Sequence, residues 1–261
     1  MTFDELGLID PIKKALKEVN YEQATAIQEQ AIPVILAGND LIGCAQTGTG
    51  KTAAFAIPIV QLLSQAARSN HSGIKALILA PTRELSIQIG ESFALFSKFT
   101  NLKHTGIFGG VSQAKQVDAI KGGVDIMVAT PGRLLDLMNQ GLVKLNQVQY
   151  LVLDEADNML DMGFHDDIMR IISYLPAKRQ SLLFSATMPP KIRTLAKKIL
   201  EEPQEVNIAI SKPSAGIDQH AYMAYDDQKG KLIRHILSNE EYTSVIVFSS
   251  KKETVKNLAR D

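Results

Sequence analysis

Seven short apolar runs, at residues 41–45, 76–80, 106–108, 125–129, 150–153, 181–184 and 206–208, alternate with stretches of helical periodicity. Strands separated by helix-length crossovers pair in parallel, because the crossover carries the chain back to the same end of the sheet and covers its faces with helices. The expected fold class is therefore α/β, a doubly wound, mostly parallel sheet. Its ligand site is expected at the carboxyl ends of the strands. Hydrophobic residues make up 45% of the 261 and charged residues 21%, enough apolar material for a large core and too little charge for a disordered chain.

Two helices are expected ahead of the first run. Asp10 and Pro11 form a cap-and-first-turn pair before Ile12, Leu16 and Val19, and Asn20 suits the left-handed conformation that ends a helix. A second helix is expected over residues 25–37, stopping at Gly38. Residues 211–216 read Ser-Lys-Pro-Ser-Ala-Gly, a breaker-rich linker. The expected organisation is a domain over residues 1–210, with 1–37 as its N-terminal segment, then the linker, then the start of a similar unit over 217–261. That unit should carry strands near 219–225 and 244–248, and about 45 residues with two strands cannot close a sheet, so it reads as incomplete.

Lys plus Arg and Asp plus Glu both number 28, so any field that attracts a polyanion must be local. The single Cys44 lies in an apolar run and reads as a core thiol in a reducing compartment. The N-terminus lacks a secretory pattern and no run approaches the ~20 apolar residues of a membrane span, so a cytoplasmic protein without membrane contact is expected. The histidines show no metal-ligand spacing. Met159 and Met162 are expected to pack beside the acidic motif described next.

The sharpest local signal is Ala45-Gln46-Thr47-Gly48-Thr49-Gly50-Lys51-Thr52, between the first strand and a helix. Gly48 and Gly50 free backbone N–H groups to face an anion, the helix start favours negative charge, Lys51 reaches outer phosphates, and the Thr52 hydroxyl suits Mg²⁺. The strict P-loop pattern has glycine where Ala45 stands. Such a loop needs an acidic partner, and Asp154-Glu155-Ala156-Asp157 follows the apolar run 150–153. Asp154 would hold Mg²⁺, largely through water, and Glu155 would orient and deprotonate an attacking water.

With these blocks in place the chain resembles a DEAD-box ATP-dependent RNA helicase of superfamily two, in which the Ala45 variant of the P-loop is usual. Pro81-Thr82-Arg83-Glu84-Leu85, Gly109-Gly110, Thr130-Pro131-Gly132-Arg133 and Ser185-Ala186-Thr187 occur in the family's order, each after an apolar run. Residues 247–249, Val-Phe-Ser, resemble the first motif of the family's second domain, and 148–180 look most like the bacterial RhlE-type branch. The resemblance implies a RecA-like domain, ATP and Mg²⁺ as cofactors, and RNA as a sequence-nonspecific partner of a monomer. Its implied catalytic residues are Lys51, Asp154 and Glu155.

The resemblance also implies adenine recognition by Tyr21 and Gln28, with Phe3 packed on the same loop. A glutamine amide both donates and accepts, as the adenine edge requires. Gln28 is also spaced from Thr25 as a capping box, which is a second role for it. Asn20 and Ala24 depart from the family's usual glycine and proline. Thr82, Arg83, Gly110, Thr130, Gly132 and Arg133 are the implied RNA contacts, with an Arg83 ion pair to Glu84 as the alternative. Asp157, Ser185 and Thr187 would couple nucleotide state to domain closure, unless the two hydroxyls only cap the next helix. Transition-state arginines would come from beyond Asp261, so this chain is expected to bind ATP and be a poor catalyst. A nucleotide-gated RNA-binding module and a DNA helicase are the alternatives.

Overall fold

A computed structural model describes residues 1–66, 73–208, 218, 220–238 and 242–260. The chain divides into two compact units, Met1–Ile210 and Ser211–Asp261. The expected linker at 211–216 lies outside the described residues.

The first unit opens with a 3-10 turn, Phe3–Leu6, and the helices α1 (Asp10–Glu18) and α2 (Ala26–Leu36). Strands and helices then alternate: β1 (Leu41–Cys44), α3 (Lys51–Gln65), β2 (Ala76–Leu79), α4 (Arg83–Phe96), β3 (His104–Ile107) and α5 (Gln113–Lys121). There follow β4 (Ile126–Ala129), α6 (Pro131–Asn139), β5 (Tyr150–Leu153), α7 (Ala156–Asp161) and α8 (His165–Ile172). The unit closes with β6 (Gln180–Ser185), α9 (Pro190–Ile199) and β7 (Gln204–Asn207). All seven strands pair in parallel, in the order β3-β4-β2-β5-β6-β1-β7. The expected α/β class and each of the seven expected strands are present.

Period-two alternation along the strands sorts their side chains into two cores. Leu41, Ile78, Val128, Val152, Leu182 and Phe184 face the helices α1 to α4, where Phe55 and Phe93 are fully buried. Ile42, Leu77, Leu79, Met127, Leu151, Leu153 and Leu183 face the other side, with Leu134, Ile168, Ile171 and Leu195. A three-layer sandwich results. Because every strand runs the same way, all seven carboxyl ends meet at one rim, and the motif loops share it.

At the N-terminus Pro11 lies in the first turn of α1, with Ile9 rather than Asp10 as the cap, and Asn20 adopts φ 55° after the helix. Thr25 caps α2, and Gly38 follows it at φ 84°. Met159 is buried, but Met162 is 54% exposed at the end of α7, so only one of the two methionines packs as expected.

In the second unit, α10 (Asp226–Leu237) and α11 (Lys252–Leu258) are helical. The strands expected near 219–225 and 244–248 are not formed among the described residues. A strand exists through its ladder bonds, and residues 244–248 have no partner strand among the described residues of this unit. Val245, Ile246 and Phe248 are correspondingly exposed, at 50%, 80% and 91%.

Candidate nucleotide and RNA site

The glycine-rich turn leaves β1 with Ala45 buried and its N–H donating to the Ser185 carbonyl of β6 at 3.1 Å. Ala45 has no positive φ, so a methyl group is tolerated where the strict pattern has glycine. Gly50 is different: its φ is 93°, and a Cβ there would stand 2.4 Å from the Gln28 Nε2. The left-handed conformation favours glycine, and a side chain there would also push the Gln28 amide from its place. Thr49 Oγ1 donates to the Gln46 carbonyl at 2.7 Å, closing the turn, and Gly48 sits at φ 85°. Lys51 is buried at the start of α3, where its Nζ donates to the Ala45 carbonyl at 2.8 Å.

Two strands away, β5 delivers Asp154, only 2% exposed. Burial pushes its carboxyl up to about 6, against the opposing pull of Lys51. Glu155 follows at φ 51°, a left-handed conformation uncommon for a non-glycine residue. Its N–H donates to Asp154 Oδ1 at 3.0 Å, and its carboxylate accepts from Asn158 Nδ2 at 2.8 Å. Thr47 Oγ1 approaches Glu155 Oε1 at 3.5 Å, so the turn and the acidic motif meet across one cleft.

Of the residues expected to recognise adenine, Tyr21 and Gln28 line the same cleft. Gln28 is buried; its Oε1 accepts from the Thr25 N–H at 2.9 Å, the capping-box bond, while its Nε2 donates to the Gly50 carbonyl at 3.1 Å. One lone pair on Oε1 and one hydrogen on Nε2 are left over, which is the pair of groups an adenine edge needs. Tyr21 is 46% exposed and stacks with Phe3, centroids 6.4 Å apart, while the Phe3 N–H donates to the Glu22 carbonyl at 3.2 Å.

The cleft is lined by Tyr21, Gln28, Thr47, Gly48, Gly50, Lys51, Thr52, Asp154 and Glu155, and also by Leu85, Gln88, Ser92 and Phe96. Sequence reasoning missed this last group. Their three- and four-residue spacing on α4 marks one helix face, but periodicity alone does not say that the face borders a cleft.

Asp157 lies in α7, near β6. Its Oδ2 accepts from both the N–H and the Oγ1 of Thr187, at 3.0 and 2.8 Å, and Ser185 Oγ donates to the Thr187 carbonyl at 2.8 Å. Burial works against the charged form of Asp157, but the hydrogen bonds from Thr187 and Ser185 hold its pKa below the ordinary value. Cys44, half-buried above this motif, has its thiol pKa raised by burial.

The remaining motif loops follow β2, β3 and β4, at the other end of the rim. Thr82 caps α4, its Oγ1 accepting from the Leu85 N–H at 3.2 Å. Arg83 is not paired with Glu84: its Nη1 donates to the Gly110 carbonyl at 3.4 Å and its guanidinium lies 5.6 Å from the centre of the Phe108 ring. Gly110 has φ 77°, and Thr130 and Gly132 sit at the start of α6. Arg133 Nη1 donates to Gln113 Oε1 at 3.2 Å. Both guanidinium groups thus hold neutral acceptors and keep their charge uncompensated by those contacts, as a surface for phosphates requires.

A parallel sheet with a glycine-rich anion cradle after one strand and an acidic pair, its first carboxylate buried, after another defines the P-loop class of α/β domains. The profile of the DEAD/DEAH box helicase family matches residues 25–195, and the chain belongs to that family. Over its whole length it is 42% identical to the ATP-dependent RNA helicase CshA of Limosilactobacillus reuteri, covering 52% of that protein. Over 98% of its length it is 43% identical to the DEAD-box ATP-dependent RNA helicase RhpA of Helicobacter pylori, covering 51% of it. The crystal structure of a DEAD box protein from the hyperthermophile Methanococcus jannaschii superposes with a TM-score of 0.75 at 38% identity, over all of this chain and 69% of that one. The chain spans about half the length of the curated relatives it matches.

Proposed function

We propose that this chain carries the ATP-binding half of an RNA-stimulated ATPase that separates short duplexes or remodels RNA–protein complexes locally. The observation that supports it most is the convergence of Lys51, Asp154, Glu155 and Gln28 on one cleft, with Arg83 and Arg133 on the same rim beyond β2 and β4. The backbone amides of residues 48–52 and Lys51 would take the triphosphate, and the free edge of the Gln28 amide would take adenine while Tyr21 supplies an aromatic surface. Glu155, which accepts a hydrogen bond from Asn158, would take a proton from a water attacking the γ-phosphate.

The donor set fits a divalent cation. Asp154 is a buried carboxylate whose charge is costly with Lys51 as its nearest cation, and Thr52 adds a hydroxyl on the same cleft. Mg²⁺ held there, largely through water, would neutralise charge on the phosphates. RNA would be gripped without base readout by Thr82, Arg83, Gly110, Thr130, Gly132 and Arg133, while the Asp157–Thr187–Ser185 bonds would relay the nucleotide state.

Phosphate release from ATP should be measured with single-stranded RNA, with DNA of the same sequence, and with neither. Stimulation by RNA alone supports the proposal. Equal stimulation by DNA would favour a DNA helicase. Nucleotide and RNA binding without turnover, in this chain and in one extended to the length of its relatives, would leave a nucleotide-gated binding module.

A further inference from the structure

Two glutamines of α5 hold the RNA-side loops from behind, and no motif of the sequence singled them out. Gln116 is 6% exposed, and its Nε2 donates to the Phe108 carbonyl at 2.9 Å, immediately before Gly109-Gly110. Its Oε1 is buried and has no hydrogen-bond partner among the described residues. A buried amide oxygen without a partner costs free energy, so the position keeps a glutamine at some cost, and the bond that the glutamine makes is the one to the Phe108 carbonyl. One turn earlier, Gln113 accepts from Arg133 Nη1 through Oε1 at 3.2 Å and donates through Nε2 to Gln140 Oε1 at 2.6 Å. Gln140 caps the carboxyl end of α6, the helix whose first turn carries Arg133.

The two contacts join into one assembly. The Phe108 carbonyl is held by Gln116, the Phe108 ring lies under the Arg83 guanidinium, Arg83 reaches the Gly110 carbonyl, and Arg133 is tied to Gln113. Both arginines are long side chains that lose about 2 kcal/mol of rotamer entropy when fixed. A neutral acceptor can restrict a guanidinium without neutralising it, whereas a carboxylate in the same place would compete with phosphate.

We propose that α5 is a positioning helix for the RNA grip, with Gln113 pre-orienting Arg133 and Gln116 fixing the 109–110 turn against which Arg83 rests. The inference rests on the reading of Arg83 and Arg133 as phosphate contacts. Neither glutamine is assigned a contact to RNA; each acts through the residue it holds.

The test is a double-mutant cycle on the whole 261-residue chain, read by fluorescence anisotropy with labelled single-stranded oligouridylate as the probe. Gln113→Leu should weaken binding about tenfold, the worth of one net hydrogen bond to a charged group at the low end of its range. Added to Arg133→Ala it should change nothing further. Gln116→Met, which keeps length and removes the donor, should weaken RNA binding by a similar factor and leave affinity for an ATP analogue unchanged. Gln113→Glu is a second check: its carboxylate would hold Arg133 and neutralise it, so the salt dependence should become shallower even though the guanidinium is still held in place.

Additive losses for Gln113→Leu and Arg133→Ala would overturn the positioning role, as would wild-type RNA affinity in both glutamine variants. Should Arg133→Ala and Arg83→Ala themselves bind RNA like the wild type, the RNA reading of those arginines fails and the positioning role falls with it. A melting temperature lowered in Gln116→Met with RNA affinity intact would assign that residue to stability alone.

Discussion

The side-chain amide of Gln28 donates to the carbonyl of Gly50 at 3.1 Å, joining the N-terminal segment to the phosphate loop through one hydrogen bond. The same amide accepts from the Thr25 N–H. Gln28 therefore has two tasks, a capping bond and a link to the loop, before any base is bound.

Gln28→Ala removes both bonds and any base contact at once. It should lower unfolding stability by about 1 to 2 kcal/mol, measured by thermal melting, since each net bond is worth roughly 1 kcal/mol. ATP affinity should fall by about 1 to 3 kcal/mol while GTP affinity falls less, the difference being the base contact. Equal losses for the two nucleotides would confine Gln28 to the loop and the cap.

Glu155→Gln should keep nucleotide affinity and stop turnover, because an amide still hydrogen-bonds water but cannot take its proton. Lys51→Ala should instead lose binding, since it removes the ammonium group that lies on the glycine-rich turn, bonded to the Ala45 carbonyl. Single-turnover hydrolysis alongside titration with a fluorescent nucleotide separates the two effects. Turnover by Glu155→Gln at the wild-type rate would remove the carboxylate from the mechanism.

Asp154 makes stability depend on pH in an unusual direction. Its folded-state pKa, about 6, is above the unfolded value, so the unfolded chain loses this proton first and stability falls as pH rises between about 4 and 6. Asp154→Asn should therefore stabilise the ligand-free protein above pH 6 by up to about 3 kcal/mol, with the advantage disappearing below about pH 4. Mg-ATP binding should weaken in the wild type as pH drops below 6, because protons then compete for the carboxylate. Calorimetry in two buffers of different ionisation heat measures that proton, and its presence in Asp154→Asn would assign it to another group.

Asp157 has the opposite sign. Its pKa is lowered, so it contributes stability above the unfolded value that is lost as pH falls through the folded one. Thr187→Val removes the 2.8 Å hydroxyl bond and leaves the Thr187 N–H bond in place. The Asp157 pKa, followed by carboxyl carbon NMR, should move up towards the ordinary value. A pKa that stays put would show that the hydroxyl does not hold the charge.

Arg83→Ala and Arg133→Ala should each make the salt dependence of RNA binding shallower by about 0.7, the slope per phosphate on a single strand. Unchanged slopes would return both arginines to structural duty.

Much of the first unit was legible from local pattern. Parallel strands and their helices follow from apolar runs at strand length separated by helix-length crossovers, and the loop chemistry at 45–52 and 154–157 follows from residues adjacent in the chain. The same local reasoning failed at 244–248, where a run of apolar residues is no strand because a ladder needs a second chain segment.

The sequence by itself determined the α/β class, the order of elements and the identity of the groups at the rim, because those depend on periodicity and on short-range steric preference. Tertiary structure decided which groups share a cleft. Gln28 lies 22 residues from Gly50, and Thr47 lies 108 residues from Glu155. The first meeting depends on α2 packing against α3, and the second on β5 lying two strands from β1 in the sheet, an order that no local pattern encodes. The burial that lifts Asp154, the neutral partners of Arg83 and Arg133, and the bonds from α5 to Phe108 and Arg133 likewise arise only when distant segments pack and water is excluded between them.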